Sequence, residues 1–99
     1  MKMTVRIKCI NKSGGYHQNP HEAISHYGWV DKNGVIDRSD RQSMVDWLRL
    51  VGNYAYVEDM QGNKAFCRIR TSVNGTEFLQ TYSDTTPTDN LLSLPECVS

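Results

Sequence analysis

The sequence predicts an α+β fold, an antiparallel sheet of about four strands with one main helix and one short helix. Two periodicities indicate this fold: apolar residues recur at helical spacing from Met44 to Val51, and the period switches to two after Asn53. Asn74-Gly75 between two alternating segments is typical of a hairpin turn. The chain has 99 residues, which is the size of one domain, so we expect residues 1–99 to fold as a unit.

The first predicted element is a strand from Thr4 to Ile10. Apolar and polar side chains alternate along it, with Arg6 and Lys8 among the polar ones. This alternation is typical of a strand that is buried on one face. The three residues expected on the buried face are Val5, Ile7 and Cys9.

A short helix is predicted from Pro20 to Tyr27. Asn19 can cap its N-terminus, Pro20 suits the first helical position, and Glu22 can complete a capping box. Gly28 suits the position that follows a helix. The segment after it contains Lys32-Asn33-Gly34 between apolar pairs, which indicates a small hairpin.

The main helix is predicted from Asp40 to Val51. Ser39 and Gln42 are spaced as a capping box, and Gly52 ends the helix. One apolar stripe should face the core. Its members are Met44, Trp47, Leu48 and Val51.

Three antiparallel strands complete the predicted sheet, at Tyr54–Asp59, Lys64–Val73 and Thr76–Tyr82. The first strand is expected to join this meander, because it cannot be stable alone. In the second strand of the meander, the residues expected to face the core are Ala65, Cys67 and Ile69. The C-terminal leucines are too apolar for a free tail and are expected to dock on the core. They are Leu91, Leu92 and Leu94.

The cysteine pattern and the distribution of apolar residues predict where in the cell the protein resides. Cys9, Cys67 and Cys97 are far apart and form no C-x-x-C motif, so we expect reduced thiols. The sequence contains no apolar stretch of the length of a signal peptide core or a membrane span. We therefore expect a cytoplasmic protein that does not contact membranes.

Charge is balanced overall but not along the chain. Eleven Lys and Arg residues match eleven Asp and Glu residues, so the net charge is zero. Sequence-specific nucleic-acid binding is therefore not expected. Residues 1–20 have four basic residues and no acid, whereas residues 71–99 have four acidic residues and no base. Either the two ends lie together and neutralise each other, or the positive end faces an anionic ligand.

Two segments of the sequence are distinctive: Asn19-Pro20-His21-Glu22-Ala23-Ile24 and, more specific, Thr88-Asp89-Asn90-Leu91-Leu92-Ser93-Leu94-Pro95-Glu96-Cys97. They resemble a family of small uncharacterised bacterial and phage proteins, which share a domain of unknown function. The resemblance covers nearly the whole chain. It implies no reaction or catalytic residue. Occurrence in phages and mobile elements implies a binding role directed at a host or its defences.

No catalytic or metal-binding residue is predicted, and no cofactor is expected. The sequence contains no G-x-S-x-G nucleophile motif. His21 and His26 are five residues apart, which places them on different sides of a helix. A small hydrolase or a metal-dependent enzyme nevertheless remains an alternative.

Two groups of residues are candidates for binding an anion. The first is on the strands, where basic residues point away from the core beside an aromatic ring and can hold phosphates and stack a base. Its members are Arg6, Lys8, Phe66, Arg68 and Arg70. The second is near the start of the short helix, where His17 and His21 can add hydrogen bonds to free backbone N–H groups.

The sequence therefore predicts a non-enzymatic binding protein. Its expected partner is an anionic small molecule such as a nucleotide. A host protein is the alternative partner, since five tyrosines and two tryptophans also suit a protein interface or an inhibitor. In both cases the basic strands could instead be an ordinary solvated face.

Overall fold

A computed structural model describes residues 3–13, 20–59, 61–83, 86–88 and 90–97. Within these ranges the chain forms one seven-stranded sheet with the strand order β3-β2-β1-β4-β5-β6-β7. The strands are β1 (Met3–Lys12), β2 (Ile24–Asp31), β3 (Ile36–Asp40), β4 (Asn53–Glu58), β5 (Lys64–Thr71), β6 (Glu77–Ser83) and β7 (Thr86–Thr88). One α-helix, α1 (Arg41–Arg49), and two 3₁₀ helices (Pro20–Ala23 and Asn90–Ser93) accompany them. None of the helices in these ranges is long and apolar enough to cross a membrane.

The sheet is mixed, so the prediction of an antiparallel sheet of about four strands is wrong. β1 is antiparallel to β2 but parallel to β4, with Met3 opposite Asn53 and Arg6 opposite Tyr56. The β1-β2-β3 meander grows to one side of β1, and α1 then returns the chain so that β4 pairs with the other side. The antiparallel pairing of β4, β5 and β6 agrees with the predicted meander.

The predicted short helix over Pro20–Tyr27 is also wrong. Only the 3₁₀ helix Pro20–Ala23 forms in this segment, and residues 24–31 form β2. Tyr27 and Trp29 lie opposite Ile10 and Ile7 of β1, so burial of these alternate side chains outweighs the local helix signals. The β2-β3 hairpin was predicted, and the structure confirms it.

Helix α1 begins and ends slightly inside its predicted bounds. Asp40, rather than Ser39, is the N-cap, and its carboxylate accepts a hydrogen bond from the Ser43 backbone N–H at 2.7 Å. That hydrogen bond lowers the pKa of Asp40. The helix ends at Arg49, so Val51 lies in the following turn and is 98% exposed instead of facing the core.

Three hairpin turns in the chain have the same construction. The first residue of each turn is Asp31, Asp59 or Ser72, and its side chain accepts hydrogen bonds from the backbone N–H groups two and four residues later. Gly75 has a φ of 85°, which a side chain would disfavour. The Ser72 N–H donates a hydrogen bond to the Thr76 carbonyl, so the Asn74-Gly75 hairpin has a three-residue loop. Its sequence indicates a two-residue loop instead.

The two faces of the sheet differ. One face, which we call the helix face, packs against α1 through Met44 and Val45. The strand residues buried in its core include Val5, Ile7, Ile10, Ala55, Val57, Cys67 and Leu79. The side chains that alternate with these point to the opposite side, which we call the open face.

The C-terminal segment is joined to β1. Ile10 forms a parallel bridge with Glu96, and Cys9 is disulfide-bonded to Cys97 across 88 positions of sequence. The prediction of three reduced thiols is therefore wrong, because the fold brings together two cysteines that are remote in sequence. Only Cys67 is a free thiol.

The predicted docking of the C-terminal leucines is confirmed. Leu91 is fully buried in the core cluster, and Leu92 and Leu94 are partly buried against it. These contacts add to the disulfide in holding the segment to the sheet.

Replacing Leu91 with alanine should lower the free energy of unfolding by about 2–5 kcal/mol, because the substitution leaves a cavity in the core. Leu50→Ala is the matched control, since Leu50 is 61% exposed and should change stability by less than about 0.5 kcal/mol. Urea unfolding of the oxidised proteins measures both values. Equal stability of the two variants would show that the C-terminal segment does not contribute to the core.

Candidate ligand-binding face

A row of four side chains crosses the middle of the open face. Arg6 on β1 lies opposite Tyr56 on β4, Tyr56 lies opposite Phe66 on β5, and Phe66 lies opposite Tyr82 on β6. Directly opposed residues on neighbouring strands have side chains about 4.5–5.5 Å apart at their Cβ atoms. The sheet therefore places one guanidinium group in line with three aromatic rings.

Tyr54, Tyr56 and Phe66 form a connected aromatic surface. The centroids of Tyr56 and Phe66 are 5.7 Å apart, and those of Tyr54 and Phe66 are 6.4 Å apart with the rings nearly perpendicular. Phe66 is 45% exposed and Tyr54 is 49% exposed. The faces and edges of large rings are thus accessible to solvent at the centre of the sheet.

Basic side chains lie over these rings. The Lys64 ammonium is 5.0 Å from the Tyr56 centroid, and the Arg68 guanidinium is 4.8 Å from the Tyr82 centroid. Both distances are within the range of cation–π attraction. The contacts hold the two cations against the sheet.

Arg70 contacts two side chains of β6. Its guanidinium lies 6.0 Å from the Phe78 centroid and donates a hydrogen bond to the Gln80 side-chain oxygen. Phe78 and Gln80 are both buried. Arg70 is therefore anchored at the β6 side of the face.

A pocket of about 340 Å³ opens beside Arg6, between β2, β1, β4 and β5. We call it the cationic pocket, and its lining residues are Thr4, Arg6, Val30, Asp31, Lys32, Tyr56 and Lys64. Three of these are basic and one is acidic. The Asp31 carboxylate already accepts two backbone hydrogen bonds in its turn, both 2.9 Å long. The pocket therefore presents an excess of positive charge.

Arg6 has one acidic neighbour on the open face. Its guanidinium is 4.0 Å from the Glu58 carboxylate, and both side chains are partly exposed. An ion pair at this distance and exposure is worth about 0–1 kcal/mol. An anion with better hydrogen-bond geometry can therefore replace Glu58 at little cost.

Lys8 lines a different pocket of about 290 Å³, which we call the disulfide pocket. Its lining residues are Lys8, Cys9, Gly28, Trp29, Ile36, Asp37, Arg38 and Cys97. The pairing of β1 with β2 shifts register between Ile7 and Cys9, and this irregularity lies at Lys8. Arg6 and Lys8 are thus both on the open face but line separate pockets.

Of the two histidines proposed as ligands, only His21 can be placed relative to this face. His17 lies outside the described residues. His21 belongs to the 3₁₀ helix Pro20–Ala23 and is only 2% exposed. The structure therefore places Arg6, Phe66, Arg68 and Arg70 on one face of the sheet, whereas His21 is buried.

The sequence did not identify Tyr54, Tyr56, Lys64 or Lys32 as parts of a site. Alternation along each strand places Tyr56 on one face of β4 and Lys64 on one face of β5. Their proximity to Arg6 depends on the parallel pairing of β1 with β4, which the sequence pattern does not reveal.

The cysteines do not provide a nucleophile. Cys9 and Cys97 are joined to each other, and Cys67 is buried in the core. Burial raises the pKa of the Cys67 thiol to about 12, so the thiolate does not form at neutral pH. Among the described residues, no group of three or more His, Cys, Asp or Glu side chains is arranged to hold a metal ion.

Comparison with known proteins identifies the family. Residues 6–95 match the model of a family described as "Protein of unknown function (DUF3892)", and the chain belongs to that family. No curated protein and no solved structure matches the chain.

Stability should fall as pH rises above about 9, the pKa of an unperturbed thiol, because the unfolded thiol ionises there while the folded Cys67 thiol stays protonated until about 12. The unfolded state then binds fewer protons than the folded state, which favours unfolding. Cys67→Val should reduce this loss while leaving stability at neutral pH similar. Urea unfolding of both proteins at several pH values measures the effect, and identical pH slopes would contradict it.

Proposed function

We propose that this DUF3892 member is a binding protein whose open face holds an anionic ligand that contains an aromatic ring, such as a nucleotide. The observation that supports the proposal most strongly is the row from Arg6 through Tyr56 and Phe66 to Tyr82, which lies beside the cationic pocket. Cations at one end of the row suit a phosphate. Exposed rings along the row suit a base.

Local charge favours an anion even though the whole chain is neutral. Along β1, β4 and β5, the outward side chains include five cations and one acid. These are Arg6, Lys8, Lys64, Arg68 and Arg70, with Glu58 as the acid. A positive surface attracts anions over roughly one Debye length, about 8–10 Å, at physiological salt.

The phosphate is proposed to lie in the cationic pocket. Arg6, Lys32 and Lys64 surround it from three segments of the chain, and its volume of about 340 Å³ is within the usual range for small-molecule sites. Charge-assisted hydrogen bonds contribute about 1.5–3 kcal/mol each. Two such bonds give a phosphate group a definite position without a metal ion.

The base is proposed to lie on the aromatic surface around Phe66. Phe66 and Tyr54 are about half exposed, and Tyr56 joins them to the cationic pocket. Stacking on an aromatic side chain contributes about 1–3 kcal/mol per base and tolerates different bases. Together with the phosphate contacts, this energy is sufficient for micromolar affinity.

Isothermal titration with ATP tests the proposal, with inorganic phosphate as the probe that lacks a base. ATP should bind more tightly than phosphate. Arg6→Gln and Lys64→Gln should each weaken ATP binding about tenfold, since each removes one charge-assisted contact. Phe66→Ala should weaken ATP binding by a similar factor but leave phosphate binding unchanged.

Arg49→Gln is the matched control, because Arg49 lies on α1, across the sheet from the open face, and pairs there with Glu77. It should leave ATP binding unchanged. The proposal is wrong if neither ATP nor a short single-stranded oligonucleotide binds, or if Arg49→Gln weakens binding as much as Arg6→Gln does.

A protein partner is the second candidate. Val35, just before β3, and Ile36, its first residue, are 54% and 73% exposed, and β3 is an edge strand of the sheet. Exposed apolar residues on an edge strand suit a partner that adds a strand. Absence of binding to every anion tested would favour this candidate over the nucleotide.

A further inference from the structure

We propose that the Cys9–Cys97 disulfide is a site of thiol–disulfide exchange with an anionic low-molecular-weight thiol, such as a cysteine-containing peptide with free carboxylates. The inference is independent of nucleotide binding. It rests on three observations: both bonded cysteines line an open pocket, two cations line the same pocket, and the disulfide packs against Gly28, which has no side chain.

The disulfide is accessible from the open face. Cys9 and Cys97 are only partly buried, and both line the disulfide pocket of about 290 Å³. Exchange requires a thiolate to approach one sulfur from outside the S–S bond, so access decides whether a disulfide reacts. A pocket of this size admits a small thiol.

Gly28 makes room for the disulfide against β2. It lies opposite Cys9 on β2, and a Cβ atom at this position would lie 2.2 Å from the Cys9 sulfur and 2.8 Å from the Cys97 sulfur. Both distances are shorter than any real contact, so a larger residue cannot coexist with the bonded pair. Residue 28 therefore accommodates the disulfide without shielding it.

The charge of the pocket selects an anionic thiol. Lys8 and Arg38 line it, with Asp37 as the single acid. The Asp37 carboxylate accepts a hydrogen bond from the Arg38 backbone N–H at 2.7 Å, and this bond offsets part of its negative charge. The apolar walls are Trp29 and Ile36. Carboxylates on an incoming thiol can therefore pair with the two cations.

The exchange step balances without an external oxidant or reductant. The thiolate of the incoming molecule attacks the sulfur of Cys97, a new S–S bond forms, and the Cys9–Cys97 bond breaks. Cys9 leaves as a thiolate and then takes a proton from water. Lys8 is adjacent to Cys9 and lines the same pocket, so its charge stabilises that leaving thiolate.

Opening the bond frees the C-terminal segment from its covalent link but not from its other contacts. The Cys97 N–H donates to the Ile10 carbonyl at 3.0 Å, and the Ile10 N–H donates to the Pro95 carbonyl at 3.0 Å. Leu91 remains buried in the core. The modified protein should therefore stay folded, with the adduct at the surface.

The test incubates the folded, oxidised protein with reduced glutathione or with cysteamine, an anionic and a cationic thiol. Intact-mass spectrometry follows the adducts, and peptide mapping locates them. Glutathione should form a mixed disulfide on Cys97 and leave Cys9 as a free thiol. In the Lys8→Gln/Arg38→Gln variant, the ratio of the glutathione rate to the cysteamine rate should fall about tenfold. Comparing ratios cancels the different thiol pKa values of the two reagents.

Lys64→Gln is the matched control, since Lys64 is a cation of the same face that lines the other pocket. It should leave the ratio unchanged. Lys8→Gln alone provides the test if Arg38→Gln loosens β3, because Arg38 also donates to the Asn11 side-chain oxygen.

The proposal is overturned if glutathione reacts with the urea-unfolded protein but not with the folded one, or if the ratio is the same in every variant. An adduct on Cys9 instead of Cys97 overturns the assignment of Cys9 as the leaving sulfur. These outcomes do not depend on ATP binding, so this proposal and the proposed function fail separately.

Discussion

The pairing of β1 on both of its edges is the constraint on which the rest of the structure depends. β2 pairs with one edge over most of its length. The other edge is shared: β4 pairs in parallel with Met3–Arg6, and the C-terminal segment bridges to Ile10. Because β1 has neighbours on both sides, its buried residues lie at the centre of the core, and its outward residues lie at the centre of the open face.

Both candidate sites follow from this pairing. Parallel pairing with β4 brings Tyr56 beside Arg6 and forms the cationic pocket. Pairing with the C-terminal segment brings Cys97 beside Cys9 and forms the disulfide pocket. An antiparallel register between β1 and β4 would give different neighbours to Arg6, so the positions of the site residues are consequences of topology and not of local sequence.

The sequence predicted those features that depend on local order. Alternation along β5 placed Cys67 toward the core and Phe66 toward the open face, as observed. It could not predict the parallel pairing or the disulfide, since both join segments that are remote in the chain. It assigned residues 24–27 of β2 to a helix because the preceding residues have the pattern of a helix cap, whereas the pairing that overrides this pattern comes from β1.

The charge distribution explains how a neutral chain can present a positive face. Several acids are occupied elsewhere: Asp40 caps α1, Asp59 closes a turn, and Glu77 pairs with Arg49. Among the described residues, these acids stabilise turns and the helix and do not neutralise the cations of β1 and β5. Net charge is therefore a poor guide to this surface, and the strand-by-strand pattern is a better one.

Backbone NMR of the oxidised protein during titration with ATP tests the central claim most directly, because amide shifts report which face meets the ligand. The account predicts shift changes concentrated at Arg6, Tyr56, Lys64 and Phe66, with little change in α1. Changes confined to α1 or to β3, or no changes at millimolar ATP, would contradict it.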